Sequence, residues 1–238
     1  MKNYVGCSGY SYDGWAEGFY PPEVPKKRWL EYYAEHFDTV EINSSFYHLP
    51  KESTLKKWHQ GVPGNFRFTL KGSRYVTHQK KLNDVRDAVR IFYDAAGLLK
   101  GKLACILWQL PGNLHKNLDK LESFCKTLSD DFRNVIEFRH NSWFGDDTSE
   151  LLRHYGVAFC VISAPDGLSD EAVKTTNRVY IRFHGIQKWY DHDYRQVELE
   201  HWANKLKALH PDQIYAYFNN DINANAPRNA AAFMKLVR

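Results

Sequence analysis

Eight short runs of strand-forming residues recur along the chain, and stretches with a helical stripe separate them. The runs are Tyr4–Ser8, Thr39–Asn43, Phe66–Lys71, Ala104–Gln109, Val135–Arg139, Ala158–Ile162, Val179–His184 and Ile214–Asn219. Between them apolar residues fall three or four apart, the spacing of one helix face. Trp29, Tyr33 and Phe37 make one such stripe. Val85, Val89, Phe92 and Ala96 make another, with Asp84 placed to cap it. Leu118, Leu121, Phe124 and Leu128 form a third, and Leu199, Trp202, Leu206 and Leu209 a fourth. A shorter stripe, Leu151, Leu152 and Tyr155, has Thr148 as its expected cap and Gly156 as its stop. The crossover after the sixth run, around 170–174, carries only a weak helical pattern.

Strands joined by helical crossovers run parallel, and eight such units in 238 residues nearly match the ~250 typical of a (β/α)8 barrel. An open doubly wound sheet is the rival, but the turn after the first run, GCSGYSYDG, is not a GxGxxG phosphate fingerprint. No linker, internal repeat or shift of composition marks a boundary. Residues 1–238 are therefore expected to form a single domain of the α/β class, a (β/α)8 TIM barrel.

Composition narrows the partners. No run approaches the ~18 apolar residues of a membrane span, and the first 25 residues hold no apolar signal core. A cytoplasmic protein without a membrane partner is expected. The four cysteines, Cys7, Cys105, Cys125 and Cys160, lack CxxC spacing and read as reduced, buried thiols. The net charge of +4 allows an anionic partner without demanding one.

Within the runs, apolar and polar residues alternate. Phe66, Phe68 and Leu70 interleave with Arg67, Thr69 and Lys71; Val179, Ile181 and Phe183 interleave with Tyr180, Arg182 and His184. Side chains change face at every strand residue, so each strand has one apolar and one polar face. Helices cover the outside of a parallel barrel, so the apolar set must face outward and the polar set inward. This parity lines the C-terminal mouth with Ser8, Glu41, Asn43, Lys71, Gln109, Glu137, Arg139, Arg182, His184, Tyr217 and Asn219. Four interior cations (Arg67, Lys71, Arg139, Arg182) against two carboxylates (Glu41, Glu137) leave a surplus of +2. Buried charges must pair or meet a ligand, and a small anionic ligand would satisfy the excess. A self-satisfied ion-pair network is the competing reading.

Three chemistries fit these residues. Glu41, Glu137 and His184 suit proton transfer, with His184 able to titrate near neutral pH. Arg139 shares a face with Glu137 and makes it a ready ion-pair partner, whereas Glu41 has no charged neighbour two residues away and is the better candidate base. Lys71 suits either an anion-binding point charge or a Schiff-base nucleophile. Asn219, Asn220 and Asn229 stand near a final helix expected to begin at Asn229, where barrels of this type often hold phosphate; a capped turn is the plain alternative. The aromatics Tyr10, Phe46, Tyr47, Trp143 and Tyr190 fall just past strand ends, placed either to stack on a ring or to plug the packing. No HExxH or cysteine cluster calls for a metal, and no cofactor is expected.

These residues also carry a resemblance. GCSGYSYDGW, VEINSSFYHLP, FRFTLKGSRYVTH, LWQLP, EFRHNSW, RFHG and YFNNDINANAPRNA follow one another along the whole chain in the order of the DUF72 (YecE-like) family, which the chain resembles. The resemblance implies a TIM barrel and brings no established activity. It adds Thr77, His78 and Gly185 to the site residues, and it covers Ser8, Tyr10, Glu41, Asn43, Phe46, Tyr47, Lys71, Gln109, Glu137, Arg139, Trp143, Arg182, His184, Asn219 and Asn220. The expected function is acid–base catalysis, metal-independent, on a small phosphate- or carboxylate-bearing substrate, with hydrolase, lyase and isomerase all open. A nucleic-acid-binding or repair-type protein is the alternative, and it would require a basic stripe outside the mouth.

Overall fold

The computed structural model describes residues 3–16 and 18–237. Strands β1 (Tyr4–Cys7), β2 (Thr39–Ile42), β3 (Arg67–Lys71), β4 (Leu103–Gln109), β5 (Asn134–Glu137), β6 (Ala158–Ser163), β7 (Arg178–Phe183) and β8 (Gln213–Phe218) pair in sequence order. Every pairing is parallel, and β8 returns to β1, which closes an eight-stranded barrel. Helices α1 (Trp29–His36), α2 (Ser44–Tyr47), α3 (Glu52–Gln60), α4 (Arg86–Ala96), α5 (Leu118–Cys125), α6 (Asp146–His154), α7 (Gln196–Lys207) and α8 (Asn225–Val237) lie between or after the strands. The chain is a (β/α)8 TIM barrel.

Strand parity fixes where the two cores sit. Phe66, Phe68, Leu70, Val179, Ile181 and Phe183 point outward into one continuous core shared with the helices. Cys105, Leu107, Val135, Cys160, Tyr180 and Tyr217 form a second, inner cluster. β4 and β6 are apolar on both faces, so their inner residues fill the barrel while the polar positions of β2, β3, β5 and β7 supply its charges. All four cysteines are free and buried. Among the described residues no helix is long and apolar enough to cross a membrane.

Several local expectations are corrected. Asp84 does not cap α4: it adopts a left-handed φ of 50°, and the N-cap is Val85, which makes no side-chain capping bond. Thr148 lies inside α6, after the cap position at Gly145, where two aspartates already serve the helix N-terminus. The β6–β7 crossover forms no helix among its described residues, in keeping with its weak pattern. α8 starts at Asn225, one turn before Asn229. Tyr217 is not at the mouth; it is buried within the barrel, its hydroxyl 2.7 Å from Thr39 Oγ1 and 2.8 Å from Thr69 Oγ1. Arg67 opens β3 at the opposite end and donates to the Gly64 and Phe66 carbonyls. The cations at the mouth are therefore three, and the excess over Glu41 and Glu137 is one charge.

Candidate active site at the barrel mouth

The centre of the mouth is a buried ion network. Arg182, 1% exposed, donates from Nε (3.1 Å) and Nη2 (2.6 Å) to Glu41 Oε1 and from Nη1 (2.8 Å) to Glu137 Oε2. The Tyr180 hydroxyl donates to the other Glu41 oxygen, and Arg139 Nε donates to the other Glu137 oxygen. Burial alone would push the Glu137 carboxyl up, but Arg139 and Arg182 outweigh it and hold the group well below the usual carboxylate range. Glu41 is fully enclosed, with both oxygens engaged. This corrects the assignment of Glu41 as the free base: its charged neighbour comes from β7, across the barrel, and not from its own strand.

His184 continues the network from the end of β7. Its Nε2 lies 2.9 Å from Arg139 Nη2, 3.4 Å from Arg182 Nη1 and 3.5 Å from Glu137 Oε1. Asn219 Nδ2 lies 3.0 Å from Nδ1. Burial, Arg139 and Arg182 together hold the imidazole well below its ordinary pKa. The expectation that His184 titrates near neutrality is thus overturned: a histidine sealed between two guanidiniums stays neutral.

Lys71, at the end of β3, is the cation left over. Its ammonium stands 4.3 Å from the centre of the Phe46 ring and makes no hydrogen bond or ion pair among the described residues. Burial first, then Arg182, lowers its pKa to about 8, with Glu137 and Glu41 opposing. His78 packs on the same Phe46 ring, and its Nδ1 lies 2.9 Å from Thr77 Oγ1. Burial and the charges of Lys71, Arg74 and Arg139 push that imidazole down to about 4. His78, Gln109 and Arg139 line an open cavity of about 500 Å³ with His140, Asp166 and Trp189. Gln109 turns its Nε2 to the Leu110 carbonyl, and Arg139 keeps Nη1 without a bond among the described residues.

On the β1–β2 side, Asn43 Nδ2 donates to the Ser8 carbonyl, while Ser8 Oγ and Asn43 Oδ1 are buried without hydrogen-bond partners among the described residues. Asn43 lines a smaller cleft with Tyr10, Tyr12 and Trp58. Tyr10 accepts a bond from Trp58 Nε1, and Tyr47 and Tyr190 are exposed. Trp143 does not reach the mouth. It is completely buried, stacked on Phe138 at 4.8 Å, with Nε1 bonded to the Leu114 carbonyl. Nor do Asn220 and Asn229 form an open phosphate cradle. Asn229 Oδ1 accepts from Asn220 Nδ2 and from the Tyr194 amide, and its Nδ2 donates to Asp193, so the pair braces the loop after β7.

Two residues of the site escape the parity and motif arguments. Tyr180 has the inward parity but sits too deep on its strand to be read as a mouth residue. Trp189 packs its ring 4.4 Å from the Arg139 guanidinium and 5.3 Å from the His184 ring, and donates from Nε1 to Asp166. The loop reaches this position through Gly185, whose φ of 112° and close approach to the Lys188 carbonyl leave no room for a Cβ. Its only sequence signal is an aromatic pair, Trp189–Tyr190, soon after a strand end.

The network has a definite acid response. A His184 pKa depressed in the fold means that below pH 6.5 the unfolded chain takes up a proton that the folded chain refuses. Glu137, also depressed, adds the same sign below pH 4.5. Stability is expected to fall as pH drops through 6.5 and more steeply below 4.5. Urea unfolding at pH 7.5, 6 and 5 checks this, and His184→Asn should flatten the upper part of the slope.

Comparison with known proteins bears on the whole chain. The model of the family described as "Protein of unknown function DUF72" matches residues 4–238. UPF0759 protein YunF of Bacillus subtilis (strain 168) is 26% identical over 268 residues, covering 98% of this chain and 94% of its own. UPF0759 protein YecE of Escherichia coli (strain K12) is 30% identical over 129 residues, which is 54% of this chain and 47% of its own. A solved DUF72 family protein of Thermotoga maritima MSB8 superposes with a TM-score of 0.91 at 28% identity, covering 100% of this chain and 99% of its own. A second, from Enterococcus faecalis V583, shares the fold with a TM-score of 0.86 at 20% identity, covering 99% and 95%.

Proposed function

The chain belongs to the DUF72 family, and from the chemistry at its barrel mouth we propose that it is an enzyme acting on a small phosphate- or carboxylate-bearing substrate by acid–base catalysis. The observation that carries the reading is Lys71. A buried ammonium without a carboxylate partner is costly, and an anionic substrate supplies the missing countercharge. Arg139, Gln109 and the neutral His78 line the cavity nearby, and His78 shares the Phe46 ring with Lys71. A group with a pKa of about 8 gives and takes protons readily near neutrality. Lys71 therefore inherits the proton-transfer role, while Glu41, Glu137 and Arg182 fix the electrostatics around it. Binding an anion beside Lys71 raises its pKa again, so substrate binding itself favours the protonated, acid form.

The lowered pKa also favours a second reading, in which the free amine condenses with a substrate carbonyl to give an imine and water. A thermal-shift screen of phosphorylated and carboxylated metabolites against wild type and Lys71→Met separates the cases. Compounds that stabilise wild type but not Lys71→Met are mouth ligands, and their turnover is then assayed. A borohydride-trapped adduct on Lys71 with a carbonyl-bearing hit supports the imine. If no anionic compound distinguishes the two proteins, the anionic-substrate reading fails.

A further inference from the structure

The opposite end of the barrel holds a second group of cations that the mouth does not use. Arg178 opens β7 and Arg133 immediately precedes β5, both on the inward parity. They line a partly open cavity of about 290 Å³ under the barrel floor, with walls from Leu128, Phe132, Val135 and Ala158. Arg178 Nε is buried there and makes no hydrogen bond among the described residues. Arg133 spends one nitrogen on the Tyr215 hydroxyl, at 3.1 Å. Asp130 also lines the cavity, yet neither arginine forms an ion pair among the described residues.

The N-terminal face of such a barrel ordinarily serves stability. Two guanidiniums do not serve it this way, because a buried, unbonded N–H costs free energy and like charges repel. An oxyanion reverses both terms. The guanidinium fork matches phosphate geometry, and apolar walls strengthen each charge-assisted bond. A cavity of about 290 Å³ admits a small group and not a polymer.

We propose that the barrel floor is a binding site for a small oxyanion of the phosphoryl class, held by Arg178 and Arg133. The five residue steps along β7, at ~3.3 Å each, put this site roughly 17 Å from the mouth. It is independent of the reading given to Lys71.

Calorimetric titration of inorganic phosphate into Lys71→Met, at constant ionic strength and pH 7.5, tests it with the mouth's unpaired cation removed. One phosphate is expected to bind, and Arg178→Gln in that background should weaken binding by about tenfold or more. Should Arg178→Gln fail to fold, Arg133→Gln, at the exposed rim, carries the same test with a smaller loss of about threefold. Glycerol 2-phosphate titrated in parallel identifies the source: equal affinity points to a phosphate ester, and much weaker affinity to the free anion. The proposal is overturned if Lys71→Met takes up no phosphate, or if its affinity survives the arginine substitutions unchanged.

Discussion

Lys71→Met is expected to abolish turnover and, at the same substitution, to make the fold more stable. The stability gain follows from the ammonium being buried beside Arg182 and Arg139 without a carboxylate of its own. Its pKa falls from 10.5 to about 8, and a discounted conversion gives about 2 kcal/mol in favour of the methionine at pH 7. For a chain of this size that is a rise of about 4–8 °C in Tm. The sign with pH is fixed by linkage. Above pH 8 the folded lysine loses its proton while the unfolded one keeps it, so wild type gains stability and the difference closes by about pH 10.5. Loss of the proton-transfer group should cost about 10²–10⁴ in rate on a mouth ligand. Thermal melts from pH 7 to 10.5 check the first half without any substrate. If Lys71→Met is less stable than wild type at pH 7, the lysine is a structural cation and the active-site reading loses its basis.

Arg182→Met should have the opposite effect and a larger one. It leaves Glu137 buried with Arg139 as its remaining partner and Glu41 buried with no ion-pair partner among the described residues. Breaking a buried pair by removing one partner costs about 3–5 kcal/mol, a fall of about 6–20 °C in Tm here. The residues act as a unit, so substitutions across the network are non-additive. Glu41→Leu in the Arg182→Met background should recover part of the loss, since it removes a carboxylate that no longer has its guanidinium. Chemical denaturation of the two single variants and the double variant gives the coupling. Simple additivity would mean that Glu41 does not depend on Arg182 and would restore it as a candidate base.

The barrel itself was legible because every strand carries its own signal. Parity in β3, β5 and β7 is a local property, and it puts Lys71, Glu137, Arg139, Arg182 and His184 on one face from sequence alone. What parity does not contain is depth and partnership. Tyr217 and Arg67 have the inward parity yet lie below the mouth, because strand position along the barrel axis depends on the stagger between neighbours. Glu41 looked unpaired because its guanidinium comes from β7, 141 residues away. His184 looked titratable for the same reason, since its two cationic neighbours define its pKa and only one of them lies on its own strand. Trp143 and Asn229 show the remaining gap. A residue just past a strand end can turn toward the mouth or fold back into the helical layer, and loop geometry decides which.

Trp189 also gives this barrel an optical handle. Of the seven tryptophans, Trp15, Trp29, Trp58, Trp108, Trp143 and Trp202 are buried, and Trp189 alone is partly open to solvent. Its indole lies over Arg139 at the cavity edge. Six interior indoles contribute a blue, quencher-shielded emission, so acrylamide or iodide in solution reads out a single ring. A molecule that seats against Arg139 displaces water from that ring, and the red edge of the fluorescence spectrum becomes a built-in reporter of mouth occupancy.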